Sequence, residues 1–273
     1  MSAREPIAIV RMSAVLPGAA TADAFWDNVK NARSAVTDVP PGRWEVAPDD
    51  IHDPSTAASP AVDVTYARRG GFVREFALDT GRVKLDRALL QDLDPLFHWV
   101  LQLGHEVTDG LRVPRERTGV SIANLALPSD AFAQLGRTGW RRILRLALGN
   151  RADALPEPES VPHPFNHFHE ALPAGLLAHA LDLQGGSLGL DAACASSLYA
   201  VKLACDALQE GRVDAMIAGG VARTDHLCLA VGFSQLKAIS RAGESRPFDA
   251  RADGLIPGEG CGLFYLRRLS EAL

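Results

Sequence analysis

The chain has 273 residues, 47% hydrophobic and 22% charged, which excludes a disordered or fibrous polypeptide and fits one large domain or two small ones at ~150 residues each. Lys and Arg number 28 against 33 Asp and Glu, giving a net charge of −5 and no global positive field for nucleic acid or an anionic membrane. No apolar run reaches the ~20 residues of a membrane helix, and the N-terminal Ile7-Ala-Ile-Val10 is too short for a signal peptide, so the reading is a soluble cytoplasmic chain.

In chain order, Ile7–Val10 reads as a buried strand broken by Pro17-Gly18. Thr21 reads as the N-cap of a helix carrying Phe25, Trp26 and Val29. Residues 36–70 show no periodicity and read as a long loop. Pro95–Leu111 predicts a buried helix with Pro95 in its first turn. Gly119–Ala123 predicts a strand and 129–149 a helical stretch. The acidic, proline-rich 151–164 predicts a surface loop.

Leu172–Leu183 predicts a helix, and Gly185–Asp191 a turn with a short strand. Cys194–Glu210 predicts a helix whose apolar face runs through 194, 198, 201, 205 and 208, with Gly211 as its C′ residue. Ala215–Val221 and Cys261–Leu269 predict strands. This alternation implies a layered α/β fold without internal repeats.

The four cysteines, at 194, 205, 228 and 261, have no Cys-x-x-Cys spacing, so neither a zinc framework nor a disulfide scaffold is expected. Position singles out one. Cys194 falls where a strand gives way to a helix, where free backbone N–H groups and the helix dipole favour negative charge. An accessible thiol there is suited to nucleophilic attack, and the same N–H groups suit a developing oxyanion. The plain alternative is a packing cysteine.

The segment Asp191-Ala-Ala-Cys-Ala-Ser-Ser-Leu-Tyr-Ala-Val-Lys-Leu-Ala-Cys-Asp-Ala-Leu208 resembles the active-site signature of β-ketoacyl synthases, nearest to polyketide and polyunsaturated fatty acid synthases. Other stretches match in order: Leu16-Pro17-Gly18, Phe25-Trp26, Pro40-Pro-Gly-Arg-Trp44, Gly70-Gly-Phe72, Leu93-Asp94-Pro95 and Thr118-Gly119-Val120. Ala218-Gly-Gly-Val221, Gly232-Phe-Ser-Gln235, Arg246-Pro-Phe-Asp-Ala250, Asp253-Gly254 and Gly258-Glu-Gly260 complete the series.

The resemblance implies a thiolase-like layered α/β fold, here an N-terminal half with a mixed sheet and a buried nucleophile helix. It implies decarboxylative Claisen condensation, with Cys194 as acyl acceptor and its own N–H as one oxyanion donor. Phe233 resembles an acyl-pocket position, and Glu259 and Asp249 resemble residues of structural loops. The implied partners are an acyl-carrier protein, acyl and malonyl thioesters, and a homodimer mate or a complementary synthase half, with no nucleic acid or membrane. No cofactor is implied beyond the phosphopantetheine arm on the carrier, and no metal. The strand Ser187–Asp191 resembles the one that pairs across the family's dimer. The alternative is a non-catalytic interaction half-domain.

Two departures stand out. The family's two histidines lie in a His-Gly-Thr-Gly-Thr motif and an Asn-rich Gly-His motif, and neither occurs here. Residues 1–273 are therefore expected to form an N-terminal domain, with the histidine half absent. Arg11 stands where the family has glycine, and a cation on a buried strand needs a partner or solvent.

Four other patterns carry blander readings. His163, His167 and His169 read as a capping or solvated cluster, since no cysteine or paired carboxylate joins them at ligand spacing. Gly185-Gly-Ser-Leu-Gly189 matches a hydrolase elbow, but with helix before and strand after. Gly258-Glu-Gly-Cys-Gly262 precedes a strand and reads as a tight turn. Arg137, Arg141, Arg142 and Arg145 read as a solvated helix face, with docking of an acidic carrier protein as the alternative.

Overall fold

The computed structural model describes residues 5–44, 46–59, 61–149 and 161–272. In chain order it contains β1 (Ile7–Val15), α1 (Ala22–Lys30), β2 (Val36–Asp38), α2 (Pro48–Ile51), β3 (Arg69–Gly71), α3 (Arg87–Asp92), α4 (Pro95–Thr108), β4 (Thr118–Ala123) and α5 (Asp130–Leu148). There follow α6 (Leu172–Ala180), β5 (Ser187–Leu190), α7 (Ser196–Gln209), β6 (Ala215–Ala222), α8 (His226–Gln235), β7 (Gly260–Arg268) and α9 (Leu269–Ala272). Among the described residues no helix is long and apolar enough to cross a membrane. The chain divides into two compact units, one of residues 1–13, 78–221 and 261–273, the other of 14–77 and 222–260.

The first unit is built on a five-stranded sheet of order β1-β7-β6-β4-β5. β4 runs parallel to both β5 and β6, with Ala123 in register with Leu190 on one side and Gly220 on the other. Every residue of β4 is buried. Successive side chains point to opposite faces, so both faces of this strand are covered, with α6 and α7 packed against it. α4 packs on α6. Their approach depends on Gly104, where a Cβ would lie 2.2 Å from Leu177 Cδ1. α4 starts with Pro95 in its first turn, as its sequence predicts, and Asp94 caps it, accepting from Leu96 N–H at 3.0 Å.

β1 departs from expectation. It continues through Arg11 to Val15 and forms one edge of the sheet, with Ile9, Val10 and Met12 exposed. Arg11 finds its partner at a helix end: its guanidinium donates to the carbonyls of Glu106 and Asp109, where α4 terminates. A cation is favoured there, because the last carbonyls of a helix carry partial negative charge.

The second unit holds an antiparallel ribbon of β2 and β3, with Val36 opposite Gly71 and Asp38 opposite Arg69. The expected long loop is thus broken up by β2, α2, a 3-10 turn at Pro54–Ala57 and β3. α1 forms behind its Thr21 cap, which accepts from Ala24 N–H at 3.1 Å. Val39, Trp44, Phe72 and Ala230 make a small core beside Ile51 and Leu227. Trp44 Nε1–H donates to His226 Nδ1 at 3.0 Å, and burial pushes the His226 imidazole down to about 4. α8, which carries Phe233, has no counterpart among the sequence expectations.

Candidate active site

The parallel strands β5 and β4 end at Leu190 and Ala123, in register with Gly220 of β6, which runs on to Ala222. Their carboxyl ends are where α/β sheets place reactive groups. From Leu190 the chain turns through Asp191–Ala195 into α7, and Cys194 lies exposed in this turn. The helix does not begin at Cys194, as the sequence pattern predicts. Ala193–Ala195 form a short 3-10 turn, and α7 starts at Ser196.

α7 is also rotated from its expected face. Its buried residues are Ser196, Ala200, Ala204, Ala207 and Leu208, while Leu198 is 75% and Tyr199 54% exposed. The helix is therefore half-buried rather than enclosed. The reason is proximity. α7 packs on β4, and Gly220 of the neighbouring β6 leaves room for it, since a Cβ there would lie 3.1 Å from Ser197 Cβ. Alanines fit such a gap where leucines do not. The helix closes as predicted, with Gly211 at positive φ and Arg212 N–H bonded to Ala207 O at 3.0 Å.

The turn before α7 is held by polar side chains. Asp191 Oδ1 accepts from Ala193 N–H at 2.7 Å, and Oδ2 from Ala126 N–H at 2.9 Å. These backbone bonds hold its carboxyl below the usual aspartate range. The Ser196 hydroxyl accepts from Ala192 N–H at 2.8 Å and donates to Ala193 O at 2.6 Å. Ala195, the residue capping α7, supplies no side-chain cap, and the Ser196 N–H is bonded to Ala193 O within the 3-10 turn.

The other thiols differ from Cys194. Cys261 is buried in β7, and burial pushes it far up. Cys205 lies half-buried within α7 and is also raised by burial. Cys228 reaches the surface on α8, yet partial desolvation and the Asp225 carboxylate raise it.

Phe233 lies half-buried on α8, in the second unit, whereas Cys194 belongs to the first. Glu259 ties loops of the second unit together. It pairs with Arg43 at 2.7 Å and accepts from Val73 N–H at 2.8 Å. The Asp249 carboxylate pairs with its neighbour Arg251 at 3.0 Å, and this bond lowers its carboxyl. Both act within loops, in keeping with the structural part the resemblance implies for them.

The histidine cluster caps and packs. His163 Nδ1 accepts from Phe165 N–H at 3.2 Å, and the rings of His167 and His169 lie against Phe132. Gly185–Gly189 follows α6 and runs into β5, the inverse of a nucleophile elbow, and Gly258–Gly262 leads into β7. Arg137, Arg141 and Arg145 lie on α5, while the Arg142 side chain and residues 151–160 of the expected acidic loop lie outside the described residues.

The sequence pattern does not bring out the grip of Asp191 on its own turn. The signal is present: an aspartate two residues before a backbone N–H is a common turn-forming pair.

Comparison with known proteins identifies the family. The family described as "Beta-ketoacyl synthase, N-terminal domain" matches residues 4–272. The chain is 30% identical over 277 residues to a phenolphthiocerol/phthiocerol polyketide synthase of Mycobacterium tuberculosis, covering 98% of this chain and 14% of that protein. It is 33% identical over 271 residues to the PKS-NRPS hybrid synthetase acdB of Aspergillus candidus, covering 98% of this chain and 10% of that one. It thus spans a small part of these relatives. Among solved structures, the PfaC keto synthase–chain length factor superposes with a TM-score of 0.87 at 31% identity, over 98% of this chain and 30% of that one. The ketosynthase from module 6 of the Bacillus subtilis bacillaene synthase gives 0.74 at 26%, over 97% and 40%. The fold is thiolase-like, and the chain belongs to the β-ketoacyl synthase N-terminal domain family.

Proposed function

We propose that this chain is the acyl-accepting part of a β-ketoacyl synthase, and that Cys194 carries the acyl group. The Cys194 thiolate attacks the carbonyl of an acyl thioester on the phosphopantetheine arm of a carrier protein. The tetrahedral oxyanion collapses, the new S–C bond stays on Cys194, and the pantetheine thiolate leaves and takes a proton. A malonyl thioester then loses carbon dioxide, its carbanion attacks the acyl carbonyl, and the Cys194 thiolate is released. The family's second step draws on two histidines in motifs this sequence does not contain. Phe233 is assigned to the acyl pocket on the resemblance alone. Four free cysteines fit a reducing cytoplasm.

The observation that carries this reading is the placement of Cys194. It is exposed in the turn between a parallel strand and the start of a helix. Its own N–H and the positive end of the helix dipole suit a developing oxyanion. Incubation with an acyl-carrier protein bearing an acyl thioester, followed by intact-mass measurement, tests it. An acyl mass increment that disappears in Cys194→Ala is expected. A folded wild-type chain that gains no mass overturns it.

A second reading has its own observation. Among the described residues β5 pairs with β4 alone and leaves Leu188 exposed, and α7 exposes Leu198, Tyr199 and Leu203. A sheet edge without a partner strand and exposed apolar side chains each favour association. On this reading the chain is a pairing module for a second copy or a complementary synthase half. Light scattering then finds a stable complex without acylation. A stable monomer sinks it.

A further inference from the structure

The turn that presents Cys194 contains a residue in a costly conformation. Ala193 has φ +51°, in the left-handed region that a residue with a Cβ rarely occupies. Such a residue is strained and persists only when its surroundings over-determine it. Here the surroundings are countable. The Ala193 N–H is bound by Asp191 Oδ1 at 2.7 Å, and the Ala193 carbonyl accepts from the Ser196 hydroxyl at 2.6 Å. Both ends of the same residue are therefore held by side chains. The other Asp191 oxygen anchors this grip to the segment after β4, through Ala126 N–H at 2.9 Å. Ser196 lies 3.4 Å from Asp191 Oδ1 and is buried, so the two side chains form one clamp.

We infer that Asp191 and Ser196 are positioning residues for Cys194: they hold Ala193 left-handed and thereby aim the following thiol out of the turn. The inference rests on the acyl-accepting reading of Cys194. It assigns neither residue a contact with substrate. It also predicts that the clamp is needed because residue 193 is not glycine, which takes positive φ without steric cost.

Iodoacetamide is the probe, because it needs only an accessible thiolate: Sγ forms the new bond to carbon and iodide leaves. The rate is read at the peptide containing Cys194 by mass spectrometry, in the full chain, with circular dichroism recorded on every variant. Asp191→Ala is expected to slow alkylation about tenfold, the lower end of what a charge-assisted hydrogen bond is worth. Ala193→Gly added to Asp191→Ala is expected to restore most of that rate. A merely structural role for Asp191 gives no such rescue.

Asp191→Asn covers the case in which the alanine variant does not fold. A carboxamide has one acceptor oxygen, so it can serve Ala193 or Ala126 but not both, and its rate is expected to fall between wild type and the alanine variant. Alkylation at or above the wild-type rate in folded Asp191→Ala and Asp191→Asn overturns the inference, as does a folded double variant that regains nothing. A parallel assay with an acyl thioester of pantetheine separates the two readings. A wild type that alkylates but never acylates removes the acyl-accepting function and leaves the clamp. Variants that alkylate and acylate like wild type remove the clamp and leave the function.

Discussion

Helices α4 and α7 are both 14 residues long, and an aspartate near the start of each uses its two oxygens alike. Asp94 accepts from Leu96 N–H at 3.0 Å with one oxygen and from Ala131 N–H at 3.2 Å with the other. Asp191 accepts from Ala193 N–H and Ala126 N–H. Each carboxylate thus ties its own turn to a distant backbone segment. The difference is distance from the helix. Asp94 is itself the cap, and α4 begins at the next residue. Asp191 stands five residues before Ser196, and the residues between them hold Cys194. α4 then buries Leu96, Phe97, Trp99, Val100, Leu101 and Leu103, whereas α7 buries mostly alanines and serine and leaves larger side chains in solvent. The same device fixes a core helix when it touches the helix. Set back by a turn, it presents a side chain.

The largest expected effect breaks the comparison on the packing side. Trp99 is fully buried on α4. Trp99→Ala is expected to cost about 3–5 kcal/mol in urea unfolding, from lost burial and the cavity left behind. Tyr199→Ala on α7 is expected to change stability by no more than about 0.5 kcal/mol, since the side chain is mostly exposed. Equal losses would mean that α7 is a core helix after all.

The caps come next. Asp94→Ala is expected to cost about 2 kcal/mol, the upper end for a lost N-cap, because Asp94 is almost fully buried and serves two helices. Asp191→Ala is expected to cost less in the same unfolding experiment, since Asp191 is exposed and α7 is held by its contact with β4. The order reverses for Cys194 alkylation, which Asp94→Ala should leave unchanged if the α7 turn is held locally.

This contrast also explains what is legible in the sequence. α4 and β4 are readable because their large apolar residues announce burial and because Asp94-Pro95 marks a helix start. α7 is readable as a helix but not in its rotation. The leucines and valine at 198, 201 and 208 suggest an inward stripe, yet close approach to β4 selects Ala200, Ala204 and Ala207, which hydropathy underweights. α8 escapes because apolar residues surround it, leaving no periodic face to read. β1 reads as buried because four apolar residues in a row fit an inner strand equally well. Cys194 stands out through its surrounding signature. The Asp191 clamp depends on a positive φ at Ala193, which no residue type at that position announces.

The smallest expected effect is the sharpest test of how Asp191 works. Its folded carboxyl titrates below the ordinary aspartate value, chiefly because the Ala126 and Ala193 N–H groups stabilise the charged form. A depressed carboxyl contributes stability above its unfolded pKa and loses it as pH falls through the folded value. The clamp is therefore fully formed from about pH 5 upward. Asp191→Ala should lower the Cys194 alkylation rate by the same factor at every pH from about 5 to 9, because a clamp changes how the thiol is presented. If Asp191 acted instead as a nearby anion opposing the thiolate, its removal would raise the rate near neutrality. The pH profile of this one variant therefore separates a clamp from a charge.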